Sequence, residues 1–367
     1  MSRFSTFLVP VDGSPLSERV LPFATALARR ANGRVILLRV ALGLEMAQLP
    51  ELGADPSREL DELAGRLRAS GVTVEPHVHY VYSLDEVADT ICRVAREREA
   101  HLILMSTHGR GGLGRWLYGS VADQVLRQAE VPVLLVSAAC ELAWPPGGPR
   151  HLLVPLDGSP LAEEALGLAR ELAAALGVGL TLTQVIQPLT YAYAEGYAYF
   201  AYDPEAELAQ AREYLEQAAA PLRSAGIDVR VEARLGQPAA EIAAAAREQG
   251  ADLIVMATHG RGGLARVILG SVATGTLQQA GVPILLVRPT AVRQQTQPVA
   301  VAAMPPERPR PAEPQVTLSL SPQELGLIQR GLGELLLTPE RDPRLAEPVR
   351  RLRERLMAAY PAAATSA

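Results

Sequence analysis

Two fifteen-residue runs carry residue types at a spacing that suits phosphate chemistry. Residues 106–120 read STHGRGGLGRWLYGS and residues 257–271 read ATHGRGGLARVILGS. Each follows a short apolar run, HLILM or DLIVM, that reads as a buried strand. Each ends in a Gly-Ser pair that reads as a helix start. A glycine-rich passage from strand to helix N-terminus presents backbone amides to an anion at close range. A carboxylate ends another strand in each half: Asp12 within PVDGSP and Asp157 within PLDGSP. Placed opposite the glycine run, it would meet a ribose hydroxyl or a phosphate-bound metal ion.

Composition narrows the chemistry. The chain has 367 residues, 48% of them hydrophobic and only 4% aromatic, so its cores are aliphatic. Its formal net charge of −5 argues against nucleic-acid binding through bulk charge. Every basic side chain is Arg, which excludes a Walker A lysine, a Schiff-base lysine and a lysine base. Cys92 and Cys140 fit no zinc spacing and read as buried, reduced thiols. The N-terminal stretch lacks the apolar run of a signal peptide, and no run reaches the roughly 20 apolar residues of a membrane span. The expectation is a cytoplasmic protein with no membrane or nucleic-acid partner.

The elements that must position these residues follow in order. Strands are expected over 6–11, 34–40, 72–80, 101–105 and 131–136. Helices are expected over about 15–31, 56–69, 84–98 and 118–128. Ser14 is the expected N-cap of the first helix and Pro15 its first residue; Pro22 should perturb it. Asn32-Gly33 should stop it. Five strands alternating with four helices make a parallel sheet covered on both faces. Residues 141–149 read as a linker, and then the pattern restarts. Asp12 pairs with Asp157 at an offset of 145, and His108 with His259 at an offset of 151. The extra residues are expected between the second strand and second helix of the second copy. There Tyr191, Tyr193, Tyr197, Tyr199, Phe200 and Tyr202 cluster. Beyond residue 288 comes a Pro-rich stretch. A helical hairpin follows, opened by Ser321-Pro322-Gln323-Glu324.

In such a sheet the first and fourth strands lie side by side, and ligands bind in the crevice at their carboxyl ends. The predicted order 3-2-1-4-5 sets Asp12 across from the glycine run. Together these features resemble a tandem universal stress protein. The resemblance rests on Pro-x-Asp-Gly-Ser (10–14, 155–159), the Thr-His-Gly-Arg runs, the spacing from Gly109 to Gly119-Ser120 and from Gly260 to Gly270-Ser271, and the Val-Pro-Val and Val-Pro-Ile strands. It implies an α/β fold with two doubly wound five-stranded parallel sheets, to which the capped, striped C-terminal stretch adds a small helical hairpin. The domains would be 1–140 and 150–289, with linkers at 141–149 and 290–316 and the hairpin at 317–361. It also implies that the fifth strands, 131–136 and 282–287, pair the two domains into an internal pseudo-dimer, which covers two otherwise exposed edges.

The function implied by the resemblance is binding of ATP, ADP or AMP, with Mg as a possible companion, in a stress-response regulator. The implied contacts in copy one are Pro10, Val11, Asp12, Val40, Met105, Ser106, Gly109, Gly119, Ser120 and Val121. In copy two they are Pro155, Leu156, Asp157, Val185, Met256, Ala257, Gly260, Gly270, Ser271 and Val272. Arg110, Arg115, Arg261 and Arg266 are placed where a cation would meet a polyphosphate. The family pattern begins Gly-x-x-Gly. Here Ser106 and Ala257 replace the first Gly, and the methyl of Ala257 favours copy one as the better site. Other roles stand beside these. Asp12 could cap the first helix, Ser120 and Ser271 could be plain N-caps, Gly109 and Gly260 could serve only a turn, and His108 and His259 could stabilise it. GRGGLG fits a dinucleotide fingerprint but follows the fourth strand rather than the first, which discounts a dehydrogenase. With no base beyond Asp12 and Asp157, a metal-dependent ATP hydrolase is a rival reading. A scaffold that binds no nucleotide is another. A protein partner or second copy would use the fifth strands or the hairpin.

Overall fold

A computed structural model of the chain describes residues 4–42, 55–107, 119–140, 142–188, 203–258 and 269–288. The glycine runs between strand and helix, the Tyr-rich insertion, the Pro-rich stretch and the expected hairpin lie outside the described residues.

The first half runs β1 (Thr6–Val11), α1 (Pro15–Glu18), α2 (Leu21–Ala31), β2 (Arg34–Leu42), α3 (Pro56–Ala69), β3 (Thr73–Val81), α4 (Glu86–Glu97), β4 (Leu102–Ser106), α5 (Ser120–Gln128) and β5 (Val133–Val136). The second half runs β6 (His151–Pro155), α6 (Pro160–Leu176), β7 (Gly179–Ile186), α7 (Pro204–Ser224), β8 (Val229–Leu235), α8 (Pro238–Glu248), β9 (Leu253–Ala257), α9 (Ser271–Gln279) and β10 (Ile284–Val287). The central strands are continuous apolar runs because helices cover both of their faces; β4, β5, β9 and β10 are buried throughout.

The expected first helix is two. Pro22 lacks an N–H and cannot continue the ladder, so α1 ends at Glu18 and α2 restarts with Pro22 in its first turn. The corresponding α6 has Gly167 there and runs unbroken for 17 residues. Asn32 ends α2 in the left-handed conformation, φ 50°, and its N–H closes onto the Ala28 and Arg29 carbonyls.

Each half has the expected order 3-2-1-4-5, but there are not two sheets. The strands form one ten-stranded sheet, β3-β2-β1-β4-β5-β10-β9-β6-β7-β8. All pairs are parallel except β5 with β10, which are antiparallel, with Leu134 opposite Leu285. This is the expected pairing of the fifth strands. Each would otherwise be a short apolar edge, and joining them fuses the sheets. Both helical layers bury cores that run across the seam. Phe7, Leu134, Leu152 and Leu285 share one, and Leu8, Leu135, Leu153 and Ile284 share the other.

The stretch between the halves is more than a spacer. Trp144 is buried, meets Phe23 of α2 edge to face with ring centroids 4.9 Å apart, and donates its indole N–H to the Asp252 carbonyl at 2.8 Å. The Asp252 carboxylate accepts from the Arg150 and His151 amides. Arg30 donates to the Leu176 carbonyl across the halves.

Candidate functional site

In both halves the strand order places a switch point where crossovers leave in opposite directions: between β1 and β4, and between β6 and β9. The carboxyl end of β1 turns sharply into α1. Asp12 Oδ1 accepts from the Ser14 amide at 2.9 Å, and Ser14 Oγ caps α1 by accepting from the Ser17 amide at 3.1 Å. Ser17 Oγ donates to the Ser14 carbonyl and accepts from the Asp12 amide, stapling the turn. In the second half Asp157 Oδ1 accepts from the Ser159 amide at 3.0 Å, and Ser159 Oγ accepts from the Ala162 amide. Ala162 replaces Ser17, and here the Ser159 hydroxyl turns onto Asp157 Oδ1 at 2.6 Å. The aspartates therefore organise the turn, while Ser14 and Ser159 are the caps.

The other wall begins at β4 and β9. The Gly119 amide donates to the Thr107 carbonyl at 2.6 Å, and the Gly270 amide to the Thr258 carbonyl at 2.8 Å. These bonds close each glycine run at its base and bring the helix N-terminus back to the strand end. The caps of α5 and α9 are Gly119 and Gly270, both extended, with no side-chain hydrogen bond to the first turn. The reading of Ser120 and Ser271 as N-caps is thus corrected. Each is the first helical residue, exposed, because the glycine ahead of it takes the capping backbone angles. First-turn amides not capped by a side chain are available to an anion.

In the second half these groups line one cavity of about 980 Å³, near the upper end of the usual size for ligand sites. Pro155, Leu156, Asp157, Val185, Met256, Ala257, Gly270, Ser271 and Val272 all contribute to its wall. The Ala257 methyl lines the cavity without closing it. In the first half, Pro10, Val11 and Asp12 end β1, Val40 lies near the end of β2, and Met105 and Ser106 end β4. Gly119, Ser120 and Val121 open α5. These positions match those of the second half strand for strand. Gly109, Arg110, Arg115, Gly260, Arg261 and Arg266 lie outside the described residues, as do His108 and His259.

Sequence reasoning missed a third side of the cavity. Glu207, Gln210, Ala211 and Tyr214 reach it from α7, Pro238 and Ile242 from α8, and Gln184 from β7. The sequence singled out none of these residues: even Gln184 lies in the run GLTLTQVI beside Thr181 and Thr183, which are polar too. The cysteines do not offer nucleophilic chemistry. Both are buried and free; burial pushes the Cys92 thiol up to about 12 and raises that of Cys140 as well.

The universal stress protein family matches residues 3–137 and again 149–288. The chain belongs to that family. It carries two universal stress protein domains in tandem. A universal stress protein of Mycolicibacterium smegmatis is 28% identical over 304 residues, covering 77% of this chain and 96% of that protein. A universal stress protein of Mycobacterium tuberculosis is 32% identical over 192 residues, which span 52% of this chain and 62% of that relative's length. Among solved structures, a functionally unknown protein from Pseudomonas aeruginosa PAO1 shares the fold at TM-score 0.57 and 19% identity, over 80% of this chain and 95% of that one. A universal stress protein from Archaeoglobus fulgidus does so at TM-score 0.51 and 23% identity, over 77% and 96%. Among the described residues of this universal stress protein, no helix is long and apolar enough to cross a membrane.

Proposed function

We propose that this tandem universal stress protein is an adenine-nucleotide-binding stress-response regulator of the cytoplasm. The observation that carries the reading is the second-half cavity. The nine described residues implied by resemblance as contacts in that half all converge on it, at the switch point of the sheet. The chemistry fits a nucleotide from end to end. Phosphates belong at the α9 N-terminus, where Gly270 leaves the first-turn amides without a side-chain cap. Asp157 stands between that helix and β7, within reach of a ribose. Pro155, Val185 and Met256 supply apolar surface for a base. The first half offers the same positions through Asp12, Val40, Met105, Gly119 and Ser120. A magnesium ion would accompany the phosphates, and Arg110 and Arg261 would pair with them. The protein binds rather than turns over its nucleotide, since its aspartates serve the turn and no lysine exists to assist. Signal output goes to a protein partner or a second copy of the chain through the C-terminal segment.

Calorimetric titration with ATP, ADP and AMP tests this. The expected result is saturable binding of at least one nucleotide, weakened about tenfold or more by Asp157→Ala. Absence of affinity for all three at millimolar ligand overturns the reading. Phosphate release that depends on magnesium and is lost in Asp157→Ala would replace binding with hydrolysis.

A further inference from the structure

We infer that Gly275 is a positioning residue for the second-half site: by letting α9 press against α8, it sets the α9 N-terminus where a phosphate can meet it. This rests on the nucleotide reading above. Gly275 lies in the second turn of α9, in the helix interior. Glycine weakens a helix there relative to alanine. Its backbone is not in the left-handed region that calls for glycine. Close packing is what calls for it. A methyl at Gly275 would stand 2.7 Å from the methyl of Ala239 in α8. Ala239 has no rotamer through which to yield, because its methyl is fixed to the backbone. Carbon atoms in contact sit about 3.5–4.0 Å apart, so a side chain at position 275 would force the two helices roughly 1 Å apart.

The contact lies against the cavity wall. Pro238, just ahead of Ala239, and Ile242 line the cavity from α8, and Ser271, Val272 and Ala273 line it from α9. Gly270 caps α9 without a side-chain hydrogen bond, and its place is only about 7.5 Å along the axis from Gly275. A helix is stiff over that length, so a displacement at Gly275 reaches the first-turn amides. A hydrogen bond to a phosphate oxygen tolerates only a few tenths of an ångström before it weakens. The spacing of α8 and α9 therefore sets both the width of the cavity on this face and the aim of its amides.

The first half is built differently here. Counted from Ser120 and Ser271, the first residues of their helices, Gln124 of α5 stands where Gly275 does. Counted back from Glu97 and Glu248, the last residues of theirs, Ala88 of α4 stands where Ala239 does. Ala88 is fully buried. Gln124 carries the Cβ that Gly275 omits, so the same close approach is denied to α5. The two helix N-termini of one chain are thus set against their neighbours in different ways.

Titrating the full-length chain with ATP and with adenosine, which has no phosphates, tests this. Gly275→Ala should weaken ATP at one site per chain about fivefold, while adenosine changes by less than about twofold, a split that a merely structural role does not produce. Alanine is the better helix former, so the loss is not one of helix propensity. Ala239→Gly supplies the rescue. Outside its own helix backbone and Ala239, the one described neighbour that a methyl at position 275 would meet within 4 Å is the Gln279 side-chain nitrogen at 3.8 Å. The double variant Gly275→Ala with Ala239→Gly should therefore bind ATP as the wild type does. Unchanged ATP affinity in the folded single variant, equal losses for ATP and adenosine, or a double variant that stays weak overturns the assignment while nucleotide binding stands. Melting curves show which variants fold. If Gly275→Ala does not, the double variant decides: wild-type affinity for ATP supports the contact, and a loss of about fivefold overturns it. A wild type with no affinity for ATP overturns both readings.

Discussion

The two halves of the sheet reach the same crevice with different turns. In the first, Ser17 staples the Asp12 turn from both sides, and Pro22 then breaks the helix into α1 and α2. In the second, Ala162 and Gly167 take those places, the Ser159 hydroxyl folds onto Asp157, and α6 runs unbroken. Further along, Arg39 stands against Gln184 and Ser106 against Ala257, all four buried. The strand order is the same in both halves. The backbone frame thus tolerates wide changes at its turns, because burial of the strands holds the frame. The side chains at the strand ends are free to differ, as Arg39 against Gln184 and Ser106 against Ala257 do.

The comparison can be broken at the point where the halves are tied together. Trp144→Ala removes a buried ring from Phe23 and a donor from the Asp252 carbonyl. Urea unfolding should register a loss of about 3–5 kcal/mol. Halves that are energetically independent would instead show a change far below that.

A smaller effect sharpens the contrast between the broken and unbroken helices. Gly167→Pro gives the second half the residue that the first half carries at Pro22. Added atoms meet open space there, so the cost is that of the backbone alone. It should be about 3 kcal/mol in thermal or urea unfolding, from the lost amide and the clash in a helix interior. A much smaller cost would mean that α6 divides as readily as its counterpart. The reverse change, Pro22→Gly, should not fuse α1 and α2 without loss, since Val20 is fully buried at the break.

The smallest effect is one of pH. His151 opens β6 where Thr6 opens β1, and its Nε2 meets Thr181 Oγ1 at 2.8 Å. Burial lowers its pKa from 6.5, with Arg230 adding to the shift. The unfolded chain therefore binds the proton more readily than the folded one. The histidine's contribution to stability is full above about pH 6.5 and is lost as pH falls through that value towards the lowered pKa. Substituting His151→Thr should flatten the stability profile over that acid window, measured as urea midpoints at a series of pH values. An unchanged slope would assign the acid sensitivity elsewhere, His77 being the next candidate by the direction of its shift.

Much of the fold was legible because its signals are local. Apolar runs of four to six residues marked β1, β4 and β9; Ser14-Pro15 and Ser159-Pro160 marked helix starts with a cap and a proline at the first position. Duplication made each signal countable twice. Of the candidate site, the turn aspartates and the Gly-Ser helix starts could be read from spacing. The capping role assigned to Ser120 and Ser271 could not. Which residue of a Gly-Ser pair takes the extended angles depends on where the closing bond to Thr107 or Thr258 pulls the chain. Gln184 was passed over for a related reason, since whether a strand glutamine lines a cavity depends on elements far along the chain.

The sequence by itself determined the elements, their repetition, the order of strands within each half and the residues at the strand ends. These follow from periodicity, turn chemistry and the handedness of crossovers, all of which act over short stretches of chain. Tertiary structure alone decided that ten strands form one sheet, that Trp144 ties α2 to Asp252, and that α7 and Gln184 close the third side of the cavity. Those outcomes depend on burial shared between residues up to about 150 positions apart, in particular on Leu134 meeting Leu285 across the central seam.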